Sequence, residues 1–163
     1  MHVHLLTRPD GSVIVVGLAP KARRDGEADA TFAARVLART LEANPKWKDY
    51  PVMTVPRADV APMLSNRRFR NAWTLQAGTL THDMAKVRGI RMEEIRVERY
   101  RRLTASDIRL LRARDQGDIV LEQKLITYRQ ALGDVPGQAT ADLAQSQTAD
   151  AIEAYPPPWP VEP

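Results

Sequence analysis

Two histidines near the N-terminus are the first residues whose types and spacing suggest chemistry. His2 and His4 occupy positions i and i+2 of a predicted strand, so both imidazoles project from one face and could share a metal ion. Two ligands are too few for such a site, and neither a third histidine nor a cysteine lies nearby. We therefore interpret the pair as part of an ordinary strand, and we expect no metal and no cofactor.

Two other pairs resemble catalytic groups. His82 and Asp83 are adjacent, as in a catalytic dyad, but no serine in a strained turn accompanies them, and Asp83 suits a helix cap. Glu94 and Glu98 lie one helical turn apart, yet the arginines around them favour a row of solvated ion pairs. The chain also has no glycine-rich phosphate loop. We expect a protein that is not an enzyme.

The composition is that of a globular protein. The 163 residues are 44% hydrophobic and 27% charged, which suits one ordinary domain or a small domain with an arm. The chain has no cysteine, which excludes disulfides and thiolate sites. The main apolar run, residues 13–20, is far shorter than the roughly 20 residues that span a bilayer, so we predict no membrane helix and no signal peptide.

Charge is distributed unevenly along the chain. Residues 67–102 carry ten basic against four acidic side chains, whereas residues 103–163 carry five against nine. A basic middle and an acidic end suit nucleic acid, an acidic partner, or self-association in which one chain's arm meets another's middle. Nucleic-acid binding through 67–102 is the alternative to protein binding, with Phe69 or Trp73 stacking on bases. We consider it less favourable, because glutamates thread the arginine-rich helix and both aromatics suit a core.

The N-terminal half predicts a small antiparallel sheet with one helix. Runs at 2–6 and 13–18 flank the turn sequence RPDGS, a β-hairpin signal. A helix should begin near Asp29 and end before Pro45. Residues 52–55 between two prolines predict an edge strand, and 74–81 predict a second hairpin around Ala77 and Gly78.

The C-terminal half predicts helices. Asp83 should cap a helix from Met84 to about Leu103, whose apolar residues spread over more than one face and suit packing on two sides. Helix should restart at Ser106 or Asp107 and break at Gly117. The next helix, capped by Asp118, carries one apolar stripe and should end at Gly133 and Pro136. The stripe consists of Leu121, Leu125, Tyr128 and Leu132.

Residues 137–163 predict a polar linker followed by an extended proline-rich tail. Prolines fix φ and remove backbone donors, so YPPPWPVEP should remain extended and present Tyr155 and Trp159 for docking. We predict an α+β protein with a small α+β domain at 1–82, a helical arm at 83–136, and the linker and tail at 137–163.

The C-terminal segments resemble a known family. RFRNAWTL, HDMAKVRGIRMEEIR, RLTASDIRLL, YRQALGDVP and the closing WPVEP are similar, in order and spacing, to the tail-fibre assembly and tail-assembly-chaperone-like proteins of tailed bacteriophages. The resemblance covers roughly residues 67–163, and RFRNAWTL and HDMAKVRGIRMEEIR are similar to segments of the versions carried by phages and prophages of alphaproteobacteria. Many relatives have a tryptophan where this chain has Ile108.

The resemblance implies a binding protein without catalytic residues. It implies association with a tail fibre or another distal tail protein, either in the virion tail or in the host cytoplasm during assembly. Self-association remains open. The residues that the resemblance would place in partner binding are Tyr128, Arg129, Leu132, Pro136, Trp159 and Pro160, together with Tyr155 of the tail.

Overall fold

The computed structural model describes all residues 1–163 and divides them into two compact units, Met1–Asp83 and Met84–Pro163. The first unit holds every strand, and the second is helical, so the predicted α+β class is confirmed. No helix is long and apolar enough to cross a membrane.

The first unit is built on a three-stranded antiparallel sheet. Strands β1 (His2–Thr7), β2 (Val13–Gly17) and β3 (Val52–Pro56) lie in the order β2-β1-β3, so β3 is an edge strand, as predicted. In the β1–β2 turn the Asp10 carboxylate accepts hydrogen bonds from the Ser12 N–H and hydroxyl. This local bonding sets the turn and thereby the register of the hairpin.

Helix α1 (Asp29–Ala43) packs near the sheet through Phe32 and Ala33, which form a small buried cluster with Leu18. Helix α2 (Arg57–Ser65), which contains Pro62, is absent from the sequence-based prediction. Its buried Val60 joins the main core of this unit. The other members of that core are Val3, Leu5, Val13, Trp73 and Leu80.

The second hairpin also forms as predicted. Strands β4 (Trp73–Gln76) and β5 (Thr79–His82) pair antiparallel around Ala77 and Gly78. Both turn residues have positive φ, +48° and +79°, which is the conformation that tight two-residue hairpins require.

The second unit is a helical hairpin with a short third helix. It consists of α3 (Met84–Asp115), α4 (Ile119–Gln145) and α5 (Ala149–Ala154). Gly117, with a φ of +68°, lies in the break between α3 and α4. The Asp118 side chain then caps α4 by accepting a hydrogen bond from the Leu121 N–H. The predicted break and cap are therefore confirmed, and α3 and α4 pack antiparallel.

The apolar stripe of α4 forms the seam of the hairpin. It runs further than the four predicted positions and is almost completely buried against α3. The buried residues of α4 are Leu125, Tyr128, Leu132, Val135, Ala139 and Leu143, and those of α3 are Val87, Met92, Ile95, Ser106 and Ala113. The buried residues of α4 recur every three or four positions, which is the spacing of coiled-coil packing.

Two predicted helix boundaries are wrong. Helix α3 continues through Ser106 without a restart, and α4 continues through Gly133 and Pro136 to Gln145. Residues 137–145, predicted as linker, are therefore helical. Proline has no N–H, so position 136 cannot donate to the Leu132 carbonyl, but Arg99 of α3 donates to that oxygen from Nε at 2.9 Å. An arginine on the neighbouring helix thus replaces the missing backbone donor.

Residues Tyr155–Pro163 follow α5 without helix or strand. The backbone N–H of Trp159 donates to the Pro157 carbonyl at 2.8 Å, and a hydrogen bond between residues two apart is typical of an inverse γ-turn. The tail is therefore not fully extended at this point, in contrast to the prediction.

The role of Arg99 can be measured with a double-mutant cycle. Arg99→Met should destabilise the protein by about 1–3 kcal/mol, because a part-buried carbonyl loses its charged donor. In a Pro136→Ala protein, residue 136 has a backbone N–H that can donate to the Leu132 carbonyl. Arg99→Met should therefore lower the free energy of unfolding clearly less in this background than in the unmodified protein. Urea unfolding of the four proteins gives the coupling free energy.

Arg96→Met is the matched control on the same helix. Arg96 is exposed and forms only a loose ion pair with Glu93 at 3.6 Å, so its replacement should change stability by no more than about 0.5 kcal/mol in either background. An equal cost of Arg99→Met with and without Pro136 would contradict this explanation of the uninterrupted helix.

Candidate functional site

His4 of the N-terminal histidine pair has a structural role in this fold. His4 is 2% exposed, and its Nε2 lies 2.9 Å from the Ala33 carbonyl while its Nδ1 lies 2.9 Å from the Thr54 hydroxyl. Since a carbonyl only accepts, Nε2 carries the proton and joins β1 to α1. The structure contains no group of three or more histidine, aspartate or glutamate side chains that could hold a metal ion.

Glu98 forms ion pairs with two arginines of its own helix. It accepts hydrogen bonds from Arg101 Nε at 2.7 Å and from Arg102 Nε at 2.8 Å. These contacts, Arg101 first, lower its pKa to about 2, so the carboxylate stays charged at ordinary pH. Glu94 pairs with Arg91 at 2.9 Å. The predicted row of ion pairs along α3 is confirmed.

The last nine residues, 155–163, lie along α3 and are named the C-terminal strap here. Arg91 donates to the Tyr155 carbonyl at 2.8 Å, the Arg102 guanidinium lies 4.7 Å from the centroid of the Trp159 ring, and Arg109 pairs with Glu162. Arg109 also donates to the carbonyl of Pro163. The strap is therefore held at its start, middle and end by arginines in the same order along α3.

Tyr155 anchors the beginning of the strap on both long helices. Its hydroxyl donates to the Asp142 carboxylate of α4 at 2.8 Å, while its carbonyl accepts from Arg91 of α3. Burial, followed by the hydrogen bond to Asp142, raises the pKa of the phenol to about 12. The neutral, donating form of Tyr155 is the one that this site stabilises.

The structure places four of the predicted partner-binding residues within the hairpin. Tyr128 and Leu132 are 4% and 0% exposed in the seam. Arg129 donates to the Leu103 carbonyl at 3.0 Å and to the Ser106 hydroxyl at 2.6 Å, and it pairs with Asp107. Pro136 is half-buried within α4. All four support the hairpin, and their contact with a partner stays a prediction.

The remaining three predicted residues, Tyr155, Trp159 and Pro160, come together on the strap. Each is half-buried and thus keeps part of its surface accessible. The arginines that hold the strap are the contacts that sequence reasoning missed. A signal for them exists in the sequence: Arg91, Arg102 and Arg109 recur along α3 at spacings that keep them near one flank.

Four arginines of the segment 67–102 are bound to groups of the chain itself. Arg88 donates to the carbonyls of Leu143 and Ser146 at the end of α4, and Arg91, Arg99 and Arg102 make the contacts given above. These guanidiniums are not presented to solvent as a phosphate-binding surface. The contacts of these four arginines therefore do not support the nucleic-acid alternative.

The second unit is a helical hairpin closed by its own C-terminus, a form suited to binding and assembly. Residues 92–163, somewhat less than half of the chain, match the model of a family described as phage tail assembly chaperone protein. No curated protein and no solved structure matches the chain significantly.

The matched residues include most of α3, all of α4 and α5, and the strap. The resemblance inferred from the sequence is thereby confirmed, although the match begins at Met92 and not near residue 67. The C-terminal part of the chain is therefore similar to phage tail assembly chaperones, and the match supports an accessory role in phage tail assembly.

Tyr155 allows a test of the strap anchor by pH. Because its pKa is raised from 10.0 to about 12, its stabilising contribution is complete below about pH 10 and is lost as pH rises towards 12. Asp142→Asn removes the carboxylate acceptor and should lower the pKa of Tyr155, while burial still keeps it above 10.0. Ultraviolet absorbance of tyrosinate, taken as the difference from a Tyr155→Phe protein, follows this group alone.

Asp134→Asn serves as the control, since Asp134 is an exposed carboxylate on the same helix. It should leave the titration of Tyr155 unchanged. The described anchor is refuted if Asp142→Asn and Asp134→Asn give the same titration curve as the unmodified protein.

Proposed function

We propose that this protein is a non-enzymatic accessory factor of phage tail assembly that binds a tail fibre or baseplate component through its second unit. The observation that carries the proposal is that the family match falls within that unit: the matched residues contain most of the helical hairpin and the whole strap. The protein would act in the host cytoplasm during assembly or remain as part of the virion tail.

The strap is the part of the unit best suited to contact a tail protein. Aromatic side chains between prolines supply large contact areas and lose little conformational freedom on binding. The arginine contacts fix the strap before a partner arrives, which lowers the entropic cost of association. Tyr155, Trp159 and Pro160 would form the contact surface, with the accessible face of the Trp159 ring at its centre.

The hairpin would serve as the rigid support of this surface. Its seam is closed by apolar side chains, and its helix ends are held by arginines, so Tyr128, Arg129, Leu132 and Pro136 would act by keeping α3 and α4 in place. Substitutions at these four positions should therefore reduce binding together with stability. Substitutions on the strap should reduce binding alone.

Co-expression with the phage's fibre and baseplate subunits tests the proposal. The full chain should raise the soluble or correctly trimerised fraction of one of these subunits and co-purify with it. Truncation after Tyr155 should abolish most of this effect, because it removes Trp159 and the Arg102 and Arg109 contacts. Helical circular dichroism should remain close to that of the full chain, since the seam is intact.

Single substitutions sharpen the experiment. Trp159→Ala should weaken co-purification at least about tenfold, the size expected for a tryptophan at the centre of an interface. Val161→Ala is the matched control, because Val161 is 93% exposed within the same strap. If no subunit responds to the full chain, the proposal fails; if the truncated chain acts as well as the full chain, the strap is not the contact.

Detection of the protein in purified particles separates two forms of the proposal. A retained tail component should be present in stoichiometric amounts, whereas a transient assembly factor should be absent from particles and present in lysates before assembly.

A further inference from the structure

The first unit contains a pocket whose walls carry three arginines and no acidic residue. Its volume is about 280 Å³, and all of its lining residues belong to this unit. We name it the arginine pocket. It is lined by residues 13–15 of β2, by Asn71 and Trp73, and by Arg8, Arg67 and Arg70.

The arginine pocket lies where two backbone segments diverge. Strand β2 is at the edge of the three-stranded sheet, and beside that edge a single bridge joins Ser12 to Thr74 of β4. Just before β4 the chain forms a short 3₁₀ turn, Arg70–Ala72, which does not pair with β2. The pocket therefore occupies the space between the edge of β2 and this turn, and the backbone of both segments fixes its position.

The three guanidiniums of the pocket have no carboxylate partner. Arg8 donates to the Ser12 hydroxyl at 3.2 Å, and the exposed side chains of Arg67 and Arg70 form no hydrogen bond or ion pair within the chain. Asp10 accepts from the same Ser12 hydroxyl but does not line the pocket. Like charges gathered around one cavity repel each other, so a bound anion would relieve this repulsion.

Trp73 supplies a second, independent observation. Its side chain lines the pocket and is only 3% exposed, and its indole N–H has no hydrogen-bond partner in the chain. Buried donors without a partner are uncommon in folded proteins, and a bound water or ion commonly accounts for them. An oxyanion in the arginine pocket would lie beside this donor.

The charge and the size of the pocket favour a phosphate monoester. A carboxylate has one charge and two oxygens, whereas a phosphate monoester has nearly two charges at neutral pH and three free oxygens, which suit three guanidiniums better. The volume lies at the lower end of the range for small-molecule pockets. Val13 and Trp73 add apolar wall, so the phosphate could carry a small apolar substituent.

A nucleic-acid strand fits this arrangement less well. Proteins that bind single strands have a basic groove that follows the backbone over several nucleotides. The three arginines instead surround one small pocket, which suits a single phosphate group.

We propose that the arginine pocket binds the phosphate group of a small phosphorylated molecule. Arg8, Arg67 and Arg70 would bind the phosphate oxygens, and Val13 and Trp73 would contact the substituent. The site lies wholly in the first unit, so it does not rest on the function proposed above for the second.

Titration of the full chain with phenyl phosphate tests the site. In nitrogen–proton correlation spectra the indole signal of Trp73 should shift, whereas those of Trp47 and Trp159, which do not line the pocket, should stay in place. Spectra of Trp47→Phe and Trp159→Phe proteins identify the three signals by elimination. Inorganic phosphate should bind more weakly than phenyl phosphate because it lacks the apolar ring, and acetate should bind most weakly.

Substitutions of the arginines should weaken binding without unfolding the protein. Arg67→Gln and Arg70→Gln should each raise the dissociation constant of phenyl phosphate at least about tenfold, because each removes a charged donor. Arg70→Lys keeps the charge but loses the planar fork, so its affinity should be intermediate. Arg57→Gln is the matched control, since Arg57 is an exposed arginine of the same unit outside the pocket; its affinity should be unchanged.

Three results would each overturn the proposal. The first is an indole signal of Trp73 that does not move at millimolar phenyl phosphate. The second is an equal loss of affinity in the Arg57→Gln and Arg70→Gln proteins, which would indicate attraction by net charge alone. The third is a single-stranded oligonucleotide that displaces phenyl phosphate and binds with a steep salt dependence, which would assign these arginines to nucleic acid.

Discussion

The second unit depends on arginine side chains of α3 that donate to backbone carbonyls elsewhere in the unit. Arg99 reaches Leu132, Arg88 reaches Leu143 and Ser146, and Arg91 reaches Tyr155. Most of these carbonyls lack a helical N–H partner: Leu132 precedes Pro136 by one turn, and the others lie at or near helix ends. Hydrogen bonds to a charged group contribute roughly 1.5–3 kcal/mol each, about twice a neutral bond. Arginine suits this role because its planar fork can serve two acceptors at once, as Arg88 does.

The same contacts account for the uneven charge of the chain. The basic middle and the acidic end meet within one molecule: Arg91 and Arg102 hold the strap, and Arg109 pairs with Glu162. The charge pattern suggested that one chain's arm meets another's middle, whereas these contacts between the acidic end and the basic middle lie within a single chain. Guanidiniums that are occupied by carbonyls, carboxylates and an aromatic ring are not available to a phosphate backbone, so an arginine-rich sequence need not indicate nucleic-acid binding.

Elements governed by local rules could be predicted from the sequence, and elements governed by distant partners could not. The turn at Ala77 and Gly78 and the break at Gly117 depend on positive φ, and the Asp118 cap depends on a neighbour three residues away. The end of α4 at Pro136 was predicted by an equally local rule and is wrong, because the compensating donor lies 33 residues earlier in the chain.

The predicted partner-binding residues also divide into features that local sequence rules reveal and features that depend on distant parts of the chain. Tyr128 and Leu132 were recognised as one apolar stripe, but a stripe reveals only that a face is buried and not what covers it. In the structure, α3 is the element that covers this face of α4. The strap aromatics were correctly singled out as side chains that need a surface, whereas the surface itself, built from arginines spaced along α3, could be identified only once the helix was known to be continuous through Ser106.

A single uninterrupted helix whose surfaces are used differently has a consequence for how such a protein would work. One face of α3 closes the hairpin against α4, and a neighbouring flank holds the strap through Arg91, Arg102 and Arg109. Because the seam is apolar and the strap is held by charged side chains, the two sets of contacts respond to different substitutions. The strap can therefore change its accessible side chains without loosening the seam that keeps the hairpin closed.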